Sequence, residues 1–471
     1  MGLKSNKVIK AGLGYTIGNY FLRGLGFITV PIFARILTEE DFGIYNNFMA
    51  YEGIIYLLIC LALHTCIKNA KYQYGDEKLD EFTSSVAIIP LIVFCAMLVL
   101  VNIFPAPFEN FLSMDLFQID LLLAYCYGLG MLMYYQNRLA LDYVYKEYLY
   151  ISYFNTISSV ALSLVFVLTC FSGQRYMGRI MGSVIPMIII LVYILIRLFK
   201  KCKPKIVGAY WKFALKISLP IIPHGIGQVI LLSVDRIMIN RYIGAKEAGL
   251  YSFAYTIYTI VQVTSNSLST AFEPWVFNKM SENKRADVQK RSTQFFWLLC
   301  VISLLVILIA PELIYILGSE KYKASIYCAI PILIGGAFTM TYVIPSELTY
   351  YYEKTQLIAV GTVGAAVFDV VLNYVFINKF GYVAAAYTTL VCSALYFVFH
   401  CIISYKVSGM LTIPIKHMIL GFLCVIAAGV ATELLMEQSI IRILISVVIV
   451  LISGVVLLKQ YRIYKGEKNE S

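Results

Sequence analysis

The sequence predicts an all-α polytopic membrane protein with about 14 transmembrane helices, a fold of two six-helix lobes plus two appended C-terminal helices. Three observations predict it. Of the 471 residues, 60% are hydrophobic and only 14% are charged, too little charge for the surface of a soluble protein. Apolar runs of about 20 residues, each long enough to cross a bilayer, follow one another along the chain. A segment of the first helical hairpin recurs 206 residues later.

Gly, Pro and charged residues delimit the apolar runs and give approximate limits for each helix. The first run begins at Ala11, after Lys4, Lys7 and Lys10, and is too long for a signal-peptide core. It therefore predicts an uncleaved first helix. The predicted spans are 11–35, 42–66, 83–104, 117–137, 150–171, 177–198, 214–240, 247–272, 293–316, 326–350, 356–377, 383–404, 415–434 and 440–458. Their even number places both termini on the same side of the membrane.

The basic residues predict which side that is. With the N-terminus inside, 27 of the 38 Lys and Arg residues fall in inside segments and 9 in outside segments. The other two, Arg23 and Arg236, lie deeper within spans. This bias predicts a multi-pass membrane protein with both termini in the cytoplasm. Topology and attraction to anionic membrane lipids then explain the net charge of +11, and no nucleic-acid partner is implied.

The repeated segments are Arg35–Tyr45 (RILTEEDFGIY) and Arg241–Tyr251 (RYIGAKEAGLY). Both fit R-x-(I/L)-x-x-(E/K)-(D/E)-x-G-(I/L)-Y, and each joins two apolar runs. Because six helices separate the copies, the two halves share one orientation and are related by an axis along the membrane normal. Many secondary transporters are built in this way. The shared Gly-(Ile/Leu)-Tyr is interpreted as a common turn with an interfacial aromatic anchor.

The repeat and a basic stretch divide the chain into four parts. We predict an N-terminal six-helix lobe over 1–199 and a basic cytoplasmic linker over 200–213. A C-terminal six-helix lobe over 214–406 follows, and then the appended helices 13 and 14 with a basic cytoplasmic tail over 407–471.

A set of small, proline and charged residues around the first, seventh and twelfth helices resembles a known family. These are Arg23, Gly24, Gly26, Pro31, Arg35, Gly43, Tyr45, Pro220, Pro223, Asp235, Arg236 and the stretch Gly381–Tyr387 (GYVAAAY). With them the chain resembles the Wzx-type polysaccharide flippases of the multidrug/oligosaccharidyl-lipid/polysaccharide (MOP) exporter superfamily. The predicted number of fourteen helices is more similar to that of the peptidoglycan lipid flippase branch than to that of the twelve-helix Wzx proteins.

The resemblance implies a flippase that moves an undecaprenyl-pyrophosphate-linked oligosaccharide from the inner to the outer leaflet by alternating access. Its partners would be this lipid-linked oligosaccharide, membrane lipids and, during polymer assembly, a polysaccharide polymerase and glycosyltransferases. A multidrug cation or ion antiporter of the same superfamily is the alternative. A membrane polysaccharide polymerase is disfavoured because no large extramembrane loop is present. The chain shows no nucleotide-binding loop and no C-x-x-C pair among its 11 cysteines, so we expect no enzyme activity, cofactor or metal site.

Charged residues inside the spans are candidate site residues, because a charge in the bilayer needs a partner or a cavity. Arg23 and Glu52 lie at similar depths in the first hairpin, and a guanidinium binds phosphate oxygens as a bidentate fork. We expect Arg23 either to bind the pyrophosphate of the substrate or to pair with Glu52 as a structural contact. Glu52 and Arg236 are further substrate-binding candidates, and for Arg236 snorkelling to the interface is the other interpretation.

Four carboxylates are candidates for coupling transport to H⁺ or Na⁺, because a carboxylate in low dielectric takes up a proton more readily. Asp235 is next to Arg236, and Asp369 shares one helix face with Asn373, four residues on. Glu347 follows Pro345 by two residues, and Glu273 directly precedes Pro274. Each carboxylate also fits a purely structural role, hydrogen-bonded between helices.

Proline removes a helix hydrogen bond and glycine adds backbone freedom, so the first, seventh and tenth predicted helices are expected to be irregular. Broken helices occur where transporters bind and bend. The predicted hinge residues, which serve equally as plain kinks, are Gly24, Gly26, Pro31, Pro220, Pro223, Gly225 and Gly227.

Overall fold

A computed structural model describes the backbone of residues 18, 21, 22, 24, 25 and 29–469, and their side chains to 455 except at 224 and 271. The described residues form helices joined by short turns. The helices before Gly249 are α1 (29–36), α2 (Glu39–Cys60), α3 (Cys66–Val86), α4 (Ile88–Ile103), α5 (Pro105–Leu112), α6 (Leu116–Leu141), α7 (Tyr145–Leu168), α8 (Arg175–Lys201), α9 (Gly208–Ser218) and α10 (Ile222–Tyr242). The later helices are α11 (Ala245–Ser281), α12 (Arg285–Leu308), α13 (Ala310–Gly318), α14 (Ile326–Thr341), α15 (Val343–Tyr351), α16 (Thr355–Phe380), α17 (Val383–Ser408), α18 (Ile415–Leu434) and α19 (Ser439–Asn469).

Nine helical segments of the described chain are long and apolar enough to cross a membrane. A tenth is the bent pair Gly208–Ile221 and Gly225–Tyr242, with 44° between its halves. The predicted span 247–272 lies within α11, and the predicted span 42–66 begins in α2 but runs past its end at Cys60. Polar residues keep both helices outside this apolar set. The span 11–35 is described only in part. The predicted all-α polytopic fold is confirmed, and each predicted span beyond the first lies on described helical structure.

The start of α2 shows how the sequence sets a helix end. Thr38 is the N-cap, and its side-chain oxygen accepts a hydrogen bond from the backbone N–H of Asp41 at 3.0 Å. The Asp41 carboxylate accepts in return from the Thr38 N–H at 3.1 Å. This capping box satisfies N–H groups that have no partner inside the helix. The repeated segment therefore contains a helix start.

Contacts within the chain define two compact units, Met1–Gly249 and Leu250–Ser471. In the first unit, α9 packs on α3 and α10 packs on α2. These contacts place α9 and α10 in the first unit, whereas the repeat groups α10 with the second half. The predicted division of the chain into four parts, with boundaries after residues 199, 213 and 406, stays a prediction.

Small residues bring helix backbones close together in both units, as in membrane proteins generally. In the first unit, a Cβ on Gly178 would lie 2.8 Å from the Val167 nitrogen, and one on Gly182 would lie 2.4 Å from the Ser163 Cα. These contacts join α8 to α7. In the second unit, a Cβ on Gly335 would lie 3.0 Å from a backbone carbon of α17.

The 206-residue repeat is also visible in side-chain contacts. The Tyr45 hydroxyl lies 3.4 Å from the Ser183 hydroxyl, between α2 and α8. The equivalent residues, Tyr251 and Thr389, make the same contact at 3.4 Å between α11 and α17. The tyrosine of the repeated motif is therefore a helix–helix contact in each unit.

Candidate functional site

Glu52 lies in the middle of α2. The Cys126 thiol of α6 donates to its backbone carbonyl at 3.7 Å, and its carboxyl group interacts electrostatically with Tyr56 and Tyr125. No ion pair of Glu52 occurs among the described residues. Arg23 lies outside the described residues, so the Arg23–Glu52 pair and the phosphate-binding role of Arg23 stay predictions.

Asp235 and Arg236 have different surroundings in α10. The Asp235 side chain is buried, whereas Arg236 is partly exposed and its Nη2 donates to the Leu232 carbonyl at 2.8 Å. This difference agrees with the step of about 100° between consecutive helix residues. The Arg236 contact is to its own helix, one turn back. The substrate and ion-coupling roles of these two residues stay predictions.

Asp369 and Asn373 lie on one buried face of α16, where the sequence predicts them. Both side chains are buried, at 2% and 0% exposure. The Thr388 hydroxyl of α17 donates to the Asn373 side-chain oxygen at 2.5 Å. Carboxylate, amide and hydroxyl oxygens are the ligands that Na⁺ and other hard cations prefer. This α16–α17 cluster therefore has the right donors for a cation or a proton.

Glu347 and Glu273 also come together in the second unit. Their carboxyl groups interact electrostatically, although Glu347 is buried in α15 and Glu273 is exposed in α11. The Oε2 atom of Glu347 has no hydrogen-bond partner among the described residues.

His400 is a buried residue that the sequence does not single out. It is fully buried in α17, in contact with Tyr342 at 4.9 Å, Tyr396 at 4.5 Å and Phe399 at 5.5 Å between ring centroids. Neither of its ring nitrogens has a hydrogen-bond partner among the described residues. Tyr342 interacts electrostatically with Glu347 as well, so His400 and Glu347 share an aromatic cluster. Its position as the only histidine of an aromatic run is the available sequence signal.

Arg179 belongs to an outside segment in the predicted topology and not to the predicted site. The structure places it in the second turn of α8. Its guanidinium carbon lies 3.8 Å from the centre of the Phe33 ring and 4.9 Å from that of Tyr45. Periodicity could not reveal this contact, because it joins α8 to two helices that lie more than a hundred residues earlier in the chain.

The predicted hinge of the seventh span is bent. Pro220 lies in the short 3-10 turn Leu219–Ile221, and Pro223 lies in the first turn of α10. A Cβ on Gly225 would meet the Leu57 side chain at 3.0 Å, so this glycine also serves close packing on α2. Gly227 is buried in α10, Gly24 and Pro31 lie in helical backbone, and Gly26 lies outside the described residues. The hinge roles stay predictions.

Comparison with known families decides the identity. The family model described as polysaccharide biosynthesis protein matches residues 8–280, more than half of the chain. The chain belongs to this family of polysaccharide biosynthesis proteins. A second model, MatE, matches residues 220–375. Both agree with the resemblance found in the sequence.

Relatives of this polysaccharide biosynthesis protein extend the comparison. It is 23% identical over 425 residues to the probable low-salt glycan biosynthesis flippase Agl15 of Haloferax volcanii, covering 88% of this chain and 87% of that protein. Its fold is similar to the lipid II flippase MurJ in an inward closed conformation, with a TM-score of 0.75, 16% identity and coverage of 95% and 99%. An inward-facing multidrug resistance MATE transporter of the MOP superfamily gives a TM-score of 0.66, 15% identity and coverage of 82% and 94%. The predicted MOP-type fold is confirmed.

Proposed function

We propose that this protein is a flippase that moves an undecaprenyl-pyrophosphate-linked oligosaccharide from the inner to the outer leaflet for surface polysaccharide assembly. Alternating access by two repeated halves would carry the lipid across, and no covalent chemistry on the substrate is needed. On this proposal, the protein lies in the bacterial plasma membrane with cytoplasmic termini. It would act between the glycosyltransferases that build the repeat unit and the polymerase that joins the units.

One observation carries the proposal: the fold is similar to that of a lipid II flippase over 95% of the chain. The fold match to the multidrug transporter covers 82% of the chain. The relative from Haloferax volcanii, whose name describes a glycan biosynthesis flippase, aligns with 88%. These matches support glycan transport over drug transport.

The buried carboxylates support coupling to an ion. The α16–α17 cluster of Asp369, Asn373 and Thr388 offers oxygen donors, and Glu347 with Glu273 offers a second acidic pair. We propose that Na⁺ or H⁺ binding at one of these places drives the return of the empty carrier. Asp235 in α10 is a further candidate because its carboxylate is buried.

A multidrug cation exporter is the second candidate. The MatE match over residues 220–375 and the acidic residues of the second unit favour it. A cationic drug would be held by such carboxylates and by aromatic rings. The proposed flippase instead needs cationic residues for the pyrophosphate.

Deletion of the gene in the native host separates the two candidates. We would measure surface polysaccharide and the intracellular pool of undecaprenyl-pyrophosphate oligosaccharide. Loss of surface glycan with full-length repeat units accumulating on the inner leaflet is the expected result. Unchanged glycan with new sensitivity to cationic drugs would reject the flippase and support the exporter.

A further inference from the structure

Arg179 is held at a fixed place by the packing of α8 on α7. Gly178 and Gly182 flank it in sequence and bring the α8 backbone against Val167 and Ser163. The Ser163 hydroxyl accepts a hydrogen bond from Nη1 of Arg179 at 2.9 Å. The guanidinium of Arg179 is therefore held on one side by a hydrogen bond, and the close packing of α8 on α7 fixes the backbone that carries it.

Two aromatic rings contact the guanidinium of Arg179. Phe33 lies 3.8 Å and Tyr45 4.9 Å from its central carbon, both within the range of cation–π attraction. Phe33 is itself buried. Because the side chain is already ordered, it would lose little conformational entropy when it bound a ligand.

The positive charge of Arg179 is not neutralised by any described residue. No carboxylate of the described chain lies within 4.0 Å of it, whereas Arg138, Arg197 and Arg442 all form ion pairs. Of its five N–H groups, one donates to a described atom, the Ser163 hydroxyl. An arginine in a membrane helix is costly unless a counter-charge or water reaches it. Arg179 is partly exposed, so an anion can approach it.

The repeat shows that this charge is special to the first half. The framework is the same in both halves, as the Tyr45–Ser183 and Tyr251–Thr389 contacts show. At the equivalent positions, however, Ser163 corresponds to Asp369 and Arg179 to Ala385. The Arg179–Ser163 contact of the first half is thus replaced by an alanine and an aspartate in the second half.

We propose that Arg179 binds the phosphate oxygens of the transported lipid on the release side of the membrane, an assignment that rests on the proposed flippase function. Arg179 lies four residues, about 6 Å, from the start of α8, and the predicted topology puts that helix start on the outer side. The ligand class is a diphosphate ester of a long isoprenoid. A planar guanidinium matches its paired oxygens.

The test measures binding to full-length protein in nanodiscs, with farnesyl diphosphate as the probe and farnesol as the uncharged control. We expect the wild type to prefer the diphosphate. Arg179→Gln should weaken diphosphate binding by about 10- to 100-fold, since a charge-assisted hydrogen bond is worth that much. Arg179→Lys should lose less because it keeps the charge but not the fork. Farnesol binding should not change in any variant.

Arg175→Gln is the matched control. Arg175 lies one turn earlier in α8, and its Nη1 donates to the Ile36 carbonyl at 2.6 Å. This variant should keep the diphosphate affinity of the wild type. An Arg179→Gln protein with a lower melting temperature but unchanged diphosphate affinity would show a structural role only and overturn the proposal. Equal wild-type affinity for diphosphate and farnesol would overturn it as well.

The outcome is separable from that of the proposed function. If gene deletion leaves surface glycan unchanged while diphosphate binding still depends on Arg179, the flippase assignment fails and the anion site stands. If deletion blocks glycan export while Arg179→Gln binds normally, the flippase stands and the Arg179 site fails.

Discussion

Gly43 and Gly249 pack backbone against backbone, each against the helix that carries the other. A Cβ on Gly43 would lie 1.7 Å from the Ala245 carbonyl oxygen, and one on Gly249 would lie 1.9 Å from the Glu39 carbonyl oxygen. The two contacts exchange under the 206-residue offset, so the repeated segments meet symmetrically. The glycine of the motif lies within a helix in both copies, and the interpretation as a shared turn is therefore wrong.

Substitution of either glycine should destabilise the protein. In Gly43→Ala or Gly249→Ala the methyl group would meet a backbone oxygen that cannot rotate away, and overpacking of this kind costs about 1–3 kcal/mol. Thermal unfolding in detergent would measure it. Because one separation of the helices relieves both clashes, the double variant should cost less than the sum of the single ones.

Gly364→Ala is the control for these variants. Gly364 lies in α16, and a Cβ at this position would have nothing within 4 Å of it. Alanine is the better helix former by about 1 kcal/mol, so this variant should be neutral or slightly more stable. A stable Gly43→Ala protein would contradict the tight contact.

The buried Arg442 forms an ion pair with the partly exposed Glu312, and we expect this pair to hold α19 in the second unit. Arg442 is 1% exposed and also donates to the carbonyl groups of Leu308, Leu435 and Met436. Glu312→Leu leaves this buried charge without its counter-ion and should cost about 3–5 kcal/mol. Arg442→Leu with Glu312→Leu should recover much of that loss. If the double variant is no more stable than Glu312→Leu, the loss of stability in Glu312→Leu does not come from the unpaired charge of Arg442.

Asp369→Asn should remove the response of the protein to its coupling ion. If Na⁺ binds the α16–α17 cluster, replacing choline chloride with sodium chloride should raise the melting temperature of the wild type, because the ion binds the folded state. The variant should show no such rise. Asp287→Asn, an exposed position in α12, should behave as wild type. If the Asp369→Asn variant still shows the rise in melting temperature with sodium, Na⁺ binds at a site other than the α16–α17 cluster.

His400→Phe should stabilise the protein while leaving its fold intact. The ring is surrounded by aromatic side chains, and removing two buried nitrogens without described partners should gain about 1–3 kcal/mol. His417→Phe is the contrasting control, because His417 accepts a hydrogen bond from Trp297 at 3.1 Å and its loss should destabilise. A less stable His400→Phe protein would show that the nitrogens are satisfied. Unfolding in detergent compares the two variants.

Arg23→Ala should give a correctly inserted protein that exports glycan poorly. A guanidinium inside the bilayer costs free energy, so an arginine at this depth is expected to have a functional role. Membrane insertion is checked by fractionation and export by surface glycan. Glu52→Gln separates the two interpretations of Arg23. If the pair is only structural, both variants should lower the melting temperature alike, and normal export by Arg23→Ala would remove Arg23 from the site.

The sequence alone determined the class, the helices and the duplication of this protein. Apolar runs of bilayer length are a local property, because each helix satisfies its own backbone hydrogen bonds within lipid. For that reason the predicted spans coincide with helices between α2 and α19. The Asp369–Asn373 face was also predictable, since residues four apart lie on one side of a helix.

Only the tertiary structure decided which side chains meet. The aromatic rings around Arg179 come from α1 and α2, more than a hundred residues earlier in the chain, and His400 meets Tyr342 across two helices. The reciprocal contact of Gly43 and Gly249 is equally remote in sequence. Helix periodicity gives the faces of each helix but not the partner of each face. Packing between helices decides the partner of each face. In this protein it shows that Gly43 and Gly249 make a helix–helix contact, and it identifies Arg179 as a candidate anion site.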